Sequence, residues 1–288
     1  MMAKLLLLLQ SHFFSLNHNL HIEALEADIY LQADSLLCLL DANTFGYILY
    51  SNSKKKIYSL KVWDFENDED ISTILEKELG PENQIISFKI LNYSARYQTI
   101  PNIFDITNNK KVIWEITNGY DHNEEVLTEI STQNDISFLH SVSKNSFNYI
   151  NQRFPNINWH SIQSIHFMNN VHNSERLSIR LIFFFKHIHI SVAQNEKILI
   201  AKSYLLSSPN DLLWELLRIV KLFGYTPEQV ILYPEGFIDI KSSLFQLLDQ
   251  YFERGKSTDT FQYQFPISDI ELSHLTLVHI ERILSCVS

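Results

Sequence analysis

The sequence predicts an α/β protein with mixed sheets, formed by two lobes that share one order of elements. Residues 177–240 have the pattern of three strands, a helix and a fourth strand, and residues 28–91 repeat that order. The composition is that of a globular chain, because 45% of the 288 residues are hydrophobic and 19% are charged. A duplicated unit of this kind predicts a two-lobed fold with a cleft between the lobes.

The first lobe is predicted to begin with three strands, because turn-forming residues separate apolar segments at about residues 28–33, 36–41 and 57–63. A helix follows, and Gly80 with Pro81 ends it. Its apolar face is formed by residues at helical spacing: Ile71, Ile74, Leu75 and Leu79.

The rest of the first lobe is predicted to contain a buried strand, an extended segment, a helix and a strand, followed by a helix that ends before Pro155. The first four of these elements occupy residues 85–91, 111–117, 124–131 and 136–142. Helix and strand therefore alternate in this part of the chain.

The second lobe carries clearer signals. Its first three strands are predicted at residues 177–184, 187–193 and 198–205. Ser208 and Pro209 then start a helix, since serine is a preferred cap and proline fits the first helical position, and Gly224 ends this helix. The predicted elements after it are a short strand, a helix, a strand and a closing helix, at residues 230–233, 244–252, 260–265 and 268–284.

The helix that starts at Ser208 is apolar around most of its circumference. Its charged residues fall on one side: Asp211, Glu215, Arg218 and Lys221. Nine apolar residues cover the remainder, which predicts contacts on more than one side of the helix. The strands before and after it are expected to be parallel neighbours joined by a right-handed crossover.

The two lobes are expected to join within residues 153–174, a segment rich in asparagine that contains Pro155. We therefore predict a first lobe at residues 1–165, with an N-terminal extension and an insertion. The second lobe occupies residues 166–288 and ends in the closing helix.

Charge and cysteine content limit the possible partners and compartments. The formal net charge is −10, which does not attract nucleic acid. The two cysteines, Cys38 and Cys286, do not form a disulfide framework or a zinc site. The apolar run at residues 5–9 is short for a secretory signal, and no run reaches membrane-spanning length. We expect a cytoplasmic protein that is not inserted in a membrane.

The turns that would hold phosphate in a two-lobed nucleotide hydrolase are unusual here. Asp34 and Ser35, between the first two predicted strands, lie where such an enzyme would place its metal-binding acid, and residues 184–186 (Phe-Phe-Lys) form the equivalent turn of the second lobe. Neither turn has the glycines that phosphate cradling uses. The weak cleft candidates for a cofactor are Asp34, Ser35, Lys186, Glu235 and Gly236.

Other motifs have simpler explanations than chemistry. Gly255 to Thr258 resembles the end of a phosphate-binding loop but lacks the preceding glycine and the strand-to-helix context, which favours a polar turn. His187 with His189, and His18 with His21, could begin a metal site or form ordinary hydrogen bonds. The acidic run at residues 64–70 fits helix capping better than cation binding. No catalytic or metal-binding residue is assigned.

The order of elements in each half resembles the ribonuclease-H-like unit that is duplicated in the actin, sugar-kinase and Hsp70 superfamily. Three segments, at residues 98–104, 195–199 and 208–213, resemble an uncharacterised Bacteroidetes-type family with an actin-like ATPase fold. The resemblance spans roughly residues 20–285 and implies two ribonuclease-H-like lobes in an actin-like arrangement with a nucleotide-sized cleft. Some proteins of this fold act as cytoplasmic platforms in pilus and secretion assemblies.

These observations favour a non-enzymatic cytoplasmic scaffold that binds another protein or a copy of itself, on a degenerate actin-like ATPase fold. No cofactor is predicted under this hypothesis. The alternative is a divergent ATPase or kinase-like protein that binds ATP between the lobes, with Asp34 holding magnesium. ATP and Mg²⁺ are expected only under that alternative.

Overall fold

The first strand of each repeated unit is followed by an antiparallel meander in the computed structural model of this chain. The structure describes residues 19–23, 32–41, 44–64, 73, 87–94, 96–101, 104, 106–131, 136–155, 157–168, 175–184, 187–195, 197–255, 261–265 and 273–287. Several predicted features lie outside the described residues. These are most of the strand at 28–33, the helix at 71–79, most of the acidic run, His18, Lys186 and residues 256–258.

The described residues belong to two compact units. The N-terminal unit comprises His18–Ile165 with Gln262–Ile270, and the C-terminal unit comprises His166–Phe261 with Glu271–Cys286. The division at 1–165 and 166–288 stays a prediction about lobes.

The N-terminal unit contains nine described strands and two helices, and a third helix follows its last strand. In chain order these are β1 (Asn19–Glu23), β2 (Ser35–Leu40), β3 (Thr44–Ser51), β4 (Lys56–Asp64), β5 (Ser87–Asn92), β6 (Tyr97–Pro101), α1 (Ile106–Asn118), β7 (Glu124–Ser131), β8 (Ile136–Ser143), α2 (Lys144–Arg153), β9 (Asn158–Ser161) and α3 (Ile162–Met168).

The main sheet of this unit has the order β1-β4-β3-β2-β5-β9. Strands β1 to β4 pair antiparallel, whereas β5 is parallel to β2 and β9 is parallel to β5. Strand β2 lies in the interior of the sheet, and all six of its residues are buried. This explains why its sequence is a continuous apolar run rather than an alternating one.

A second sheet is inserted between β5 and β9. It has the order β6-β8-β7, with antiparallel pairing throughout, and Trp114 of α1 packs with Ile100, Val126 and Leu139 in a small core. Two predictions were wrong here. Residues 111–117 belong to helix α1 instead of an extended segment, and residues 124–131 form strand β7 instead of a helix.

Tertiary pairing accounts for both corrections. Residues 124–131 contain three glutamates that favour a helix locally, but Val126, Thr128 and Ile130 are β-branched and the whole segment pairs with β8 from Glu124↔Ser143 to Ser131↔Ile136. In α1, the buried side of the helix covers this small sheet through Trp114. A partner distant in sequence therefore decided both assignments.

The C-terminal unit contains five strands and three helices among its described residues. In chain order these are β10 (Leu177–Phe184), β11 (His187–Gln194), β12 (Lys197–Leu205), α4 (Pro209–Leu222), β13 (Val230–Gly236), α5 (Ser243–Leu248), β14 (Glu253–Arg254) and α6 (His274–Val287). The sheet order is β12-β11-β10-β13-β14, with β13 parallel to β10 and β14 parallel to β13.

The two sheets share one topology, which confirms the predicted α/β class and the duplicated ribonuclease-H-like unit. The order β4-β3-β2-β5-β9 in the N-terminal unit matches β12-β11-β10-β13-β14 in the C-terminal unit, including the parallel pairs. We expected β13 to be the parallel neighbour of β12. It is parallel to β12, but the strand that it pairs with is β10. The crossover therefore passes over two strands.

Helix α4 forms as its sequence predicts. Ser208 Oγ accepts a hydrogen bond from the backbone N–H of Asp211 at 3.2 Å, and Gly224 adopts a φ of +75° just beyond the end of the helix. Leu212, Leu216 and Ile219 are buried against the sheet, within a core that also takes in α5. On the opposite face, Phe237 lies between Phe184 and His279 of α6.

Three later boundaries differ from the prediction. The helix expected at 244–252 ends at Leu248, and the strand expected at 260–265 is reduced to one bridge between Gln264 and Lys56. Helix α6 begins at His274. Among the described residues, none of the helices combines the length and the apolar character needed to traverse a bilayer.

Gly236 shows why a candidate cofactor residue is required by the fold. Its φ is +107°, and a Cβ built there would lie 2.2 Å from the carbonyl oxygen of Phe183 on the paired strand. A side chain would thus face both an unfavourable backbone conformation and a backbone clash that cannot relax by rotation of a side chain.

We expect Gly236→Ala to lower the free energy of unfolding by about 3 kcal/mol or more, the sum of backbone strain and overpacking. Gly119→Ala is the matched control, because Gly119 also has a positive φ, +80°, but its Cβ would meet nothing within 4 Å. That control should cost only about 1 kcal/mol. Urea denaturation of the two variants measures the difference, and equal losses would contradict the packing explanation.

Candidate functional site

Asp34 is held by the turn between β3 and β4. Its carboxylate accepts hydrogen bonds from Ser51 Oγ at 2.7 Å, Ser35 Oγ at 2.7 Å, the Asn52 backbone N–H at 3.1 Å and Ser53 Oγ at 3.2 Å. Burial alone would raise the pKa of Asp34, but these hydrogen bonds keep it below its ordinary value. The carboxylate and the Ser35 hydroxyl therefore organise a turn within their own sheet.

The placement of Asp34 between the first two strands of the repeated unit was wrong. Asp34 precedes β2, the first strand of that unit, and therefore lies at the end opposite to the β2–β3 turn. The turn that matches the one after Phe184 is closed instead by the Asp41 backbone N–H, which donates to the Thr44 carbonyl at 2.9 Å.

Asp41 is thus the acid that sequence reasoning missed at this turn. It is buried, and it directly follows the apolar strand β2. The signal was present in the sequence, since an acid after five apolar residues, with Thr44 and Gly46 close behind, marks the end of a buried strand. Because a strand was expected at 28–33, the first turn of the repeated unit was placed one strand too early, at Asp34 instead of Asp41.

Glu235 lies inside a buried ionic cluster at the end of β13. Its side chain is 2% exposed, Arg282 of α6 donates to it, and His279 Nδ1 lies 3.9 Å from its Oε1. Burial would raise the pKa of Glu235, but the positive charges of Arg282 and Arg180, with His279 close by, hold it well below its ordinary value. The carboxylate is ionised and joins α6 to the sheet.

The histidine pair on β11 makes ordinary contacts within the sheet. His189 is buried, and its Nδ1 lies 2.5 Å from Ser203 Oγ on β12, whereas His187 is opposite Leu205. Within the described part of the chain, His, Cys, Asp and Glu residues form no group of three or more that could hold a metal ion. Gly255 is packed against the ring of Tyr233, and the interpretation of Gly255 to Thr258 as a polar turn stays a prediction.

Among the described residues of the N-terminal unit, a set of ionisable side chains surrounds Glu129 of β7. Its Oε2 lies 3.2 Å from His160 Nδ1 and accepts from Ser164 Oγ at 2.9 Å, and its Oε1 accepts from the Ser161 backbone N–H at 2.5 Å. Glu129 is therefore the point where the inserted sheet is attached to β9 and α3. Sequence reasoning missed it because residues 124–131 were assigned to a helix.

His140 of β8 completes this cluster and is fully buried. The Asn92 side-chain amide donates to His140 Nδ1 at 2.8 Å, which leaves the proton of the neutral imidazole on Nε2, 3.6 Å from Glu129 Oε1. Burial lowers the pKa of His140 from 6.5 to about 4, although Glu129 opposes the shift. The cluster therefore pairs an ionised carboxylate with a neutral histidine.

We expect the stability of the protein to fall as pH decreases from 6.5 towards 4. In this window the unfolded chain takes up a proton at His140 and the folded chain does not, so the free energy of unfolding drops by at most about 1.4 kcal/mol per pH unit from this residue. The pKa of Glu129 in the folded protein is lowered from 4.5, so its protonation reduces the free energy of unfolding only at lower pH. Urea denaturation across this range measures the slope.

Variants separate His140 from other titrating groups. His140→Gln should flatten the slope between about pH 6.5 and pH 4 whatever its effect at neutral pH, because the buried titrating group is gone. His122→Gln is the control, since His122 is exposed on the turn before β7. If the slope of His140→Gln equals that of the control, the assignment of the pH dependence to His140 is wrong.

Exposed large apolar side chains are concentrated in two places among the described residues. On α4, Trp214 is 73% exposed and Leu222 is 70% exposed. Leu199 and Leu205 of β12 are also exposed. In the inserted region, Ile116 is 79% exposed, and the other exposed residues are Phe104, Val112, Tyr120 and Ile130. Groups of this kind mark interaction surfaces more often than isolated residues do.

The solved structures that are similar to this chain in fold include the following two. One is a Bacteroides thetaiotaomicron protein with an actin-like ATPase fold and unknown function, at 15% identity and a TM-score of 0.70, covering 91% of this chain and 99% of that chain. The other is in a PilM–PilN type IV pilus biogenesis complex, at 10% identity and a TM-score of 0.55, covering 89% and 99%. No curated protein matches the chain.

The family model described as "Protein of unknown function (DUF3822)" matches residues 26–254, which cover both repeated sheets. The resemblance to an uncharacterised family with an actin-like ATPase fold is thereby confirmed. The chain belongs to the DUF3822 family.

Proposed function

We propose that this protein is a non-catalytic, cytoplasmic scaffold that binds another protein through its exposed apolar surfaces. The observation that carries the proposal is the row formed on α4 by Trp214 and Leu222, which are more than two-thirds exposed. Tryptophan is among the side chains that contribute most binding energy in protein interfaces. Trp214 on this helix is therefore suited to contact a partner, and Leu222 extends the exposed apolar row.

The buried acids support a structural rather than a catalytic interpretation. Glu235 is ionised and bound by Arg282, and Glu129 is surrounded by hydrogen-bond donors from Ser161, Ser164 and His160. A general acid or base needs a pKa near the working pH, but both carboxyl groups are shifted below their ordinary values. Both acids instead stabilise junctions between elements.

The structural neighbours add support from fold alone. PilM, which has a similar fold, was solved in a complex with PilN that belongs to type IV pilus biogenesis. Binding of a protein partner is therefore compatible with this architecture, and we carry over no more than that. The cytoplasmic location is proposed because Cys38 and Cys286 are free thiols.

The double variant Trp214→Ala, Leu222→Ala should lose partners without losing stability. We expect at least a tenfold drop in the proteins recovered by in-cell crosslinking, and a change in unfolding free energy of about 0.5 kcal/mol or less. Ile240→Ala with Tyr251→Ala is the control, because these exposed residues of the same unit lie outside both apolar groups. A wild-type protein that is strictly monomeric and captures nothing would refute the scaffold proposal.

Nucleotide binding is the competing function, and Asp41 is the observation in its favour. This acid closes the turn that follows the first strand of the repeated unit, where a two-lobed hydrolase would hold its metal. The test residue is therefore Asp41, not Asp34. Lys186 lies outside the described residues and stays a sequence-based candidate for cofactor binding.

We expect no thermal stabilisation by Mg-ATP at millimolar concentration. A nucleotide present at about 100 times its dissociation constant would raise the free energy of unfolding by about 2.7 kcal/mol, which differential scanning fluorimetry detects readily. Asp41→Asn serves as the control. A shift in wild type that disappears in Asp41→Asn would establish the competing function.

A further inference from the structure

Strand β12 forms the outer edge of the sheet in the C-terminal unit. It is nine residues long and, within the described part of the chain, it pairs with β11 and with no other strand. Its outer side therefore presents backbone N–H and C=O groups that can pair with a further strand. Leu199 is the extra residue of a β-bulge on this strand, because Ile198 and Ile200 pair with consecutive residues of β11.

The N-terminal unit shows what can cover this edge. Strand β4 has the same position in its sheet as β12, and there β1 pairs with it antiparallel, from Asn19↔Trp63 to Glu23↔Ser59. The sequence of β1 is Asn-Leu-His-Ile-Glu, in which polar and apolar residues alternate. The repeated fold thus accepts an additional alternating strand at this edge.

Charge indicates the kind of segment that fits. Basic residues line β12 and the exposed side of α4: Lys197, Lys202, Arg218 and Lys221. Lys202 and Arg218 share one acidic partner, Glu215, at 3.8 and 2.7 Å. Asp211 and Glu215 of α4 oppose these four bases, so the described residues of β12 and α4 together carry a net charge of +2 in a chain whose net charge is −10.

Helix α4 adds an apolar row beside the strand. Glu215 connects the two elements, because Tyr204 of β12 donates to it and Arg218 binds it through two nitrogens. Trp214, Arg218 and Leu222 follow one another at a spacing of four and are neighbours on the solvent side of the helix. Apolar and basic groups therefore alternate above the edge of the sheet.

We propose that the outer edge of β12 binds an extended segment of a partner protein, in antiparallel orientation, in which acidic and apolar residues alternate. The inference deepens the scaffold function proposed above and rests on it. Main-chain pairing to β12 provides the affinity, and the basic residues select the acidic side chains. A second copy of β12 is disfavoured, since it would bring its own Lys197 and Lys202 against the same two lysines of this strand.

The test uses the full-length protein and a short, blocked peptide of alternating glutamate and valine. We expect binding with a dissociation constant of about 100 μM or lower, and slower amide hydrogen exchange confined to residues 197–205. The same peptide with alternate backbone nitrogens methylated should fail, because it cannot form the ladder. A lysine–valine peptide should fail because of charge.

Charge-reversal variants then locate the site. Lys197→Glu with Lys221→Glu should weaken binding of the glutamate–valine peptide at least tenfold, whereas Lys144→Glu with Lys241→Glu, which changes exposed lysines elsewhere, should leave it unchanged. Absence of binding at millimolar peptide, equal binding of the methylated peptide, or protection outside β12 would each overturn the inference. Dimers that form through β12 would overturn it in favour of a second copy.

Failure of the strand-binding inference can be distinguished from failure of the scaffold proposal. A partner captured in cells that is lost in Trp214→Ala, Leu222→Ala but retained in Lys197→Glu, Lys221→Glu would support the scaffold and reject the strand-binding edge. Loss of the partner in both double variants, with the peptide protecting β12, supports both. If neither variant changes what is captured and no peptide binds, both proposals are wrong.

Discussion

The parallel pairing of the first and fourth strands in each repeated unit determines most of the remaining structure. In the C-terminal unit this pair is β10 with β13, and in the N-terminal unit it is β2 with β5. A parallel pair requires a crossover connection, so the chain must leave the sheet and return, and helices then cover its faces. The first strand consequently lies in the interior of each sheet, where every residue of β2 and β10 is buried.

Burial at the ends of these central strands explains where the polar clusters occur. Glu235 lies at the end of β13 and binds Arg282 of α6, whereas Glu129 of the inserted sheet binds the backbone and side chains at the start of α3. Both carboxylates are ionised acceptors: Glu129 accepts from more than one donor, and Glu235 is paired with the guanidinium of Arg282, as a buried charge requires. Both clusters therefore attach a peripheral element to the sheet at one defined place.

Within the described residues, the two repeated sheets differ in whether a further strand pairs with their outer edge. The edge of one sheet is covered by β1, whereas the corresponding edge of the other is β12, next to Trp214 and Leu222 of α4. The interaction surface that we propose combines this strand edge with the exposed tryptophan of α4. The two copies of the repeated unit thus differ in whether a further strand pairs with the edge among the described residues.

The sequence by itself determined the local elements whose signals are short-range. Capping by Ser208, the stop at Gly224, and the apolar runs of β2 and β10 follow from neighbouring residues, and the order of these elements identified the repeated unit. Only tertiary structure decided that residues 124–131 are a strand, that Asp34 serves the β3–β4 turn, and that Glu129 meets His140 and His160. These outcomes depend on pairing between residues far apart in the chain, and local propensity contains no information about such partners.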